Sequence, residues 1–167
     1  GTMNPQIRFG EDLMSRVSYS MMNSKGDEEM TSAVRAGMNE LFSEVAKEAN
    51  INTNLIMDAV FVCNPVMHHL FLGIDPFELG QAPFALATSN AISTKSSNLE
   101  LTKMHSSSNV YLLPCIAGHV GADAAAVALS ESPNTSDDLV LIVDVGTNAE
   151  ILLGNKNKVL ACSSPTG

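Results

Sequence analysis

Five consecutive residues, Asp144-Val145-Gly146-Thr147-Asn148, bring together the groups that hold a phosphate and its cation. Asp144 closes an apolar run and offers a carboxylate that can bind magnesium directly or through water. Gly146 lets a ligand approach the main chain closely, while Thr147 and Asn148 add a hydroxyl, an amide and main-chain donors within one tight turn. An ordinary hairpin also favours Gly and Asn at its turn, so the spacing alone leaves a phosphate-holding hairpin and a plain one both open. A second acid, Asp123, follows Gly118-His119-Val120-Gly121-Ala122 and opens an alanine-rich stretch containing Ala124 and Ala125. It is placed to contact magnesium or a catalytic water, or to cap the helix behind it.

The elements around these residues follow from periodicity. Leu13, Met14, Val17 and Met21 predict a helix within residues 9–22, with Glu11 and Asp12 in its first turn. After the turn at Asn23-Ser24-Lys25-Gly26, Asp27 is expected to cap a second helix. Its stripe is Met30, Val34, Met38, Leu41, Phe42 and Val45. Ala59 to Cys63 reads as a strand buried on both faces, and Asn64-Pro65 starts a helix that Gly73 stops. Residues 75–109 lose periodicity, and edge strands or a short helix are expected there without definite positions. Val110 to Pro114 is a buried strand, and the glycine turn from Gly118 to Asp123 leads into the helix Ala124 to Leu129. Three strands close the sequence: Leu139 to Val145, Ala149 to Leu153 and Lys158 to Cys162. Such a meander with no helix after it leaves one face in need of cover.

Composition excludes several classes. Nine basic against eighteen acidic side chains give a formal charge of -9, which repels a nucleic acid backbone. No apolar run approaches the roughly 18 residues of a membrane span, and no secretory signal pattern opens the sequence, so the expected location is the cytoplasm. Cys63, Cys115 and Cys162 are far apart, and each has an apolar neighbour, so buried reduced thiols are expected. Their spacing holds no iron-sulfur cluster. His68, His69, His105 and His119 lack metal-ligand spacing and read as structural or surface residues, and most of the nine methionines are expected to fill core gaps.

Four segments in order carry a resemblance to a known family. They are Asn4 to Asp12, Leu113 to Asp123, Asp144 to Glu150, and Cys162 to Gly167. Together they resemble the actin-like (ASKHA) ATPase domain of the reductive activators of corrinoid proteins, within the 2Fe-2S ferredoxin family. The resemblance implies an α/β, ribonuclease-H-like, actin-like ATPase fold in partial form. Most of a first lobe would occupy residues 3–131, and the opening β-meander of a second would occupy 138–167. It also implies a connecting helix with Gly118, Gly121, Ala124 and Ala125, and a phosphate and magnesium site at Asp123, Asp144, Gly146, Thr147 and Asn148.

What the resemblance implies for function is ATP-driven electron transfer that returns a cob(II)amide protein to cob(I)amide. The cofactors would be ATP, magnesium and a 2Fe-2S cluster held in a domain outside this sequence, and the partner would be the corrinoid protein. The family's first Asp-x-Gly-Thr hairpin and its adenosine contacts are missing here, so these residues alone are expected to be inactive in ATP hydrolysis. Sheet edges left by the missing pieces imply a homo-oligomer or a complementing fragment. A nucleotide-dependent actin-like scaffold and a non-catalytic docking domain are the alternatives.

Overall fold

The computed structural model describes residues 1–146 and 148–165. A 3-10 turn at Pro5–Phe9 precedes α1 (Leu13–Met22) and α2 (Gly26–Glu48). Then come β1 (Asp58–Phe61), α3 (Pro65–Leu72), β2 (Ile92–Lys95), β3 (Asn109–Leu112) and α4 (Ala122–Glu131). The meander is β4 (Val140–Val145), β5 (Asn148–Asn155) and β6 (Lys158–Pro165).

Among the described residues the strands form two sheets. In the first, β3 lies centrally, parallel to β1 and antiparallel to β2. The parallel pair is possible because α3 and the long segment after it supply the crossover that parallel strands require. The second sheet is the antiparallel order β4-β5-β6. Within residues 75–109 the irregular sequence yields 3-10 turns at Phe77–Gly80 and Ser96–Leu99 and the edge strand β2.

One face of the first sheet meets α2 and α3. Val110 and Leu112 of β3 pack with Val34, Phe71, Leu99, Leu101 and Met104, and Ala59 and Phe61 of β1 join them from the neighbouring strand. A second cluster, Val17, Met30, Val66, Leu70 and Leu79, ties α1, α2 and α3 together. Polar groups orient that packing: Thr31 Oγ1 donates to the Leu70 carbonyl at 2.7 Å, and Arg35 Nε donates to that of Phe71 at 3.1 Å.

Several sequence expectations need correction. β1 is buried on one face only, because Val60 sits opposite Tyr111 on the outer side and is 65% exposed. A continuous apolar run therefore marked a half-covered strand. On α2 the stripe turns away from the core at its end, where Val45 is exposed and Ala46 is buried. Asp27 lies in the first turn of α2, after Lys25 at the cap. Asp12 is the cap of α1, accepting from the Ser15 N–H at 2.7 Å, so Glu11 lies outside the helix. Cys162 is exposed, as are Met3, Met14, Met21, Met22 and Met57, while Met30 and Met104 are core residues.

Candidate functional site: a cleft ringed by helix N-termini and a hairpin

The β4-β5 hairpin faces the starts of three helices across a cavity of about 230 Å³. Asp144, Gly146, Asn148 and Glu150 come from the hairpin, and Asp123 from the first turn of α4. Asp12, Leu13 and Arg16 come from the start of α1, Asn64 and Met67 from that of α3, and Asn4 from the cap of the first 3-10 turn.

Each helix start has a local cause. Asn64 Oδ1 accepts from the Met67 N–H at 2.9 Å, and Pro65 occupies the position where no main-chain donor is needed. Asp12 does the same for α1 through Ser15. α4 has no side-chain cap, and Asp123 Oδ1 instead accepts from the Ala124 N–H at 2.9 Å. A helix start carries partial positive charge even where its caps pair some of its N–H groups, so three starts around one cavity favour an anion.

Close packing sets α4 in place. Gly121 precedes the helix, and a Cβ there would fall 2.8 Å from both Asn64 Cα and Pro65 Cδ, which brings the starts of α3 and α4 into contact. The Ala122 N–H donates to the Cys63 carbonyl at 3.1 Å and locks that junction. Gly118 lies further out, in the turn closed by the Ala117–Val120 bridge, where a Cβ would collide with the Phe84 carbonyl oxygen at 2.1 Å. Gly118 and Gly121 thus precede α4 and serve its seating. Ala124 is buried within it, and Ala125 is half-buried.

The electrostatics run against the helix starts. Asp144 and Glu150 are directly paired across β4 and β5 and share one face of the sheet. Burial, followed by the neighbouring carboxylates, raises the pKa of Asp123 and of Glu150 above the ordinary range. Carboxylates that repel one another in this way fit a cation. Among the described residues no three ligating side chains lie close enough to cage a metal ion.

The described cysteines do not fit an iron-sulfur cluster. Cys63, Cys115 and Cys162 are free and too few for the four thiolates of such a cluster, and burial pushes the Cys63 thiol up to about 12 and that of Cys115 up to about 11.

Of the residues singled out in the sequence, Asp123, Asp144, Gly146 and Asn148 meet at the cleft. Thr147 lies outside the described residues. Asn4, Glu11, Asp12, Arg16, Asn64 and Met67 were not assigned to it from sequence, yet they line the same space. The available signal was the set of capping residues, Asn4, Asp12 and Asn64, each ahead of a helical start. His69 is structural: Nδ1 lies 2.8 Å from the Pro65 carbonyl oxygen, and Nε2 accepts from the Ala87 N–H at 3.0 Å.

Residues 1–133 match the family model described as "RACo middle region", and residues 138–167 match "C-terminal domain of RACo the ASKHA domain". The corrinoid activation enzyme RamQ of Eubacterium limosum is 34% identical over 165 residues, covering 99% of this chain and 27% of that protein. A solved structure titled reductive activator for corrinoid,iron-sulfur protein shares the fold at a TM-score of 0.93 and 34% identity, covering 98% of this chain and 26% of that one. The chain therefore spans about a quarter of the length of these relatives.

Proposed function

We propose, from the premise that this chain belongs to the RACo family, that it supplies the phosphate-binding side of a nucleotide cleft in a reductive activator of corrinoid proteins. The observation that carries the reading is the convergence of three helix starts and the β4-β5 hairpin on one small cavity lined by Asp123, Asp144 and Glu150. At about 230 Å³ it is smaller than the roughly 300–1,000 Å³ of whole-ligand pockets, which suits a phosphate chain whose nucleoside is held elsewhere.

In this reading the main-chain donors at the hairpin and at the starts of α1, α3 and α4 bind and orient the phosphates. Asp144, with Asp123 and Glu150, would hold a magnesium ion, which would supply charge neutralisation. The junction Gly121–Asn64 seats α4 against α3 within the lobe formed by residues 3–131, a partial ribonuclease-H-like unit. Residues 138–167 open the second lobe, and closure of the two lobes about α4 follows occupancy of the cleft.

The activity proposed for the whole protein is one-electron reduction of a cob(II)amide protein to cob(I)amide. The electron would come from a 2Fe-2S cluster held outside these residues. This reduction is unfavourable, and ATP binding and hydrolysis would shift the population towards the complex in which it proceeds. No described helix is long and apolar enough to cross a membrane.

The test is the visible spectrum of a cob(II)amide protein mixed with the reduced full-length activator, with and without magnesium-ATP. ATP should speed the appearance of the cob(I)amide band, and Asp144→Ala should abolish the gain. A wild type indifferent to ATP sinks the reading and favours a docking domain, whereas nucleotide-dependent polymerisation favours a scaffold.

A further inference from the structure

Arg16 is the one cationic side chain among the described residues lining the cleft, where it stands among Glu11, Asp12, Asp123, Asp144 and Glu150. It is only 5% exposed. Its Nε donates to the Gly10 carbonyl at 2.9 Å and its Nη2 to that of Glu11 at 3.4 Å, while Nη1 has no acceptor among the described residues. It makes no ion pair there either. Asp12, the nearest carboxylate in sequence, uses Oδ1 to cap α1.

A guanidinium stays charged, and its two carbonyl partners leave part of its hydrogen-bonding capacity unused. Burial, the larger influence, lowers its pKa, and the more distant Asp12 carboxylate offsets this only in part. Two main-chain carbonyls fix the plane of the fork, so the group is already oriented for a tetrahedral oxyanion before one arrives. The carboxylates lining the cleft cannot play that part, because they repel the same anion unless a cation intervenes.

We propose that Arg16 is a binding residue for the phosphate chain, with Nη1 donating to a phosphate oxygen in the cleft that Asp144 also lines. The assignment rests on the ATP reading above and adds to it the group that recognises the anion directly. It also gives the segment from Gly10 to Arg16 a role: the two carbonyls that aim Arg16 belong to the turn ahead of α1.

The test uses the full-length protein and two probes, magnesium-ATP and adenosine, measured by calorimetric titration. The proteins are wild type, Arg16→Gln, Arg16→Lys and Asp144→Asn. Arg16→Gln should weaken magnesium-ATP by about 10- to 100-fold, the range for a lost charge-assisted hydrogen bond, and leave adenosine unchanged. Arg16→Lys keeps the charge without the fork and should show a smaller loss of the same kind. It also serves if the glutamine variant fails to fold. A structural role alone would weaken both probes together, and an unchanged ratio of the two affinities in Arg16→Lys overturns the proposal. If wild type binds magnesium-ATP and Asp144→Asn loses it while the Arg16 variants keep it, Arg16 fails and the ATP reading survives. If wild type does not bind magnesium-ATP, both fall.

Discussion

Asp144 and Glu150 lie directly opposite each other on β4 and β5, so two carboxylates project from the same face of the sheet into the cleft that Asp123 also enters. Like charges at paired positions destabilise a sheet unless a counterion joins them. The arrangement is therefore unfavourable in the unliganded protein and favourable once a cation is present.

This relationship has a pH signature. The pKa values of Asp123 and Glu150 are raised above their ordinary 3.8 and 4.5. For an acid with a raised folded-state pKa, the cost is absent below the ordinary value and grows as pH rises through the raised one. Glu150→Gln should therefore melt higher than wild type near neutral pH in the absence of magnesium. The advantage should vanish below about pH 4, where unfolded-state carboxylates are also protonated. Magnesium should erase it at neutral pH by stabilising wild type alone, and thermal melts at several pH values check all three points.

Glycine substitutions separate scaffold from site. A methyl at Gly121 would meet the main chain of Asn64 and the ring of Pro65 at 2.8 Å, and at Gly118 the Phe84 carbonyl at 2.1 Å. Gly121→Ala and Gly118→Ala should each cost about 1–3 kcal/mol, the usual range for overpacking. A Cβ at Gly146 meets only the Asn148 carbonyl oxygen at 3.6 Å, so Gly146→Ala should leave stability nearly unchanged while weakening magnesium-ATP. Urea unfolding alongside nucleotide titration distinguishes the two patterns.

His69 holds the segment around Ala87 only in its neutral form, because Nε2 must accept the Ala87 N–H while Nδ1 donates to Pro65. Burial lowers its pKa below the ordinary 6.5, against the hydrogen bond to Pro65, which raises it. The buried His68 beside it is lowered as well, first by burial and then by His69, and Asp75 and Glu78 line a cavity of about 100 Å³ together with His69. A depressed histidine contributes stability that is complete above pH 6.5 and is lost as pH falls through the folded-state value. Protection of the Ala87 amide in hydrogen exchange should decline over that acidic window, after correction for intrinsic rates. His69→Gln should flatten the decline.

The outer face of the second sheet is apolar and open: Leu141 is 61% exposed, Val145 71% and Leu160 56%. Leu141 pairs with Leu153, which pairs in turn with Leu160, so the patch runs across all three strands. The 167-residue chain alone should self-associate through it. Sedimentation velocity should show association that Leu141→Thr with Val143→Thr reduces, and a strictly monomeric parent would refute the expectation.

Local chemistry made much of this protein readable from its sequence. Asn64-Pro65 and Gly73 bound α3 because a capping side chain, a proline at the first turn and a left-handed glycine act on their immediate neighbours. The strands of the β4-β5-β6 meander were legible for the same reason. Periodicity was less informative where burial depends on distant elements. Nothing in Val60 says that its face of β1 is exposed among the described residues, and nothing in Val45 says that the stripe of α2 has turned away from the core there.

Only the tertiary structure decided which ends meet. Asn4, Asp12 and Asn64 each signal a helix start, but their convergence with Asp123 and the hairpin depends on the parallel pairing of β1 with β3 and on the tight seat of Gly121 against α3. Arg16 shows the distinction clearly. In sequence it is a basic residue one turn into an amphipathic helix, with no feature to separate it from Arg8 or Arg35. In the fold it is buried, aimed by two carbonyls and set among five carboxylates, because the cost of burying a charge is determined by what surrounds it in space.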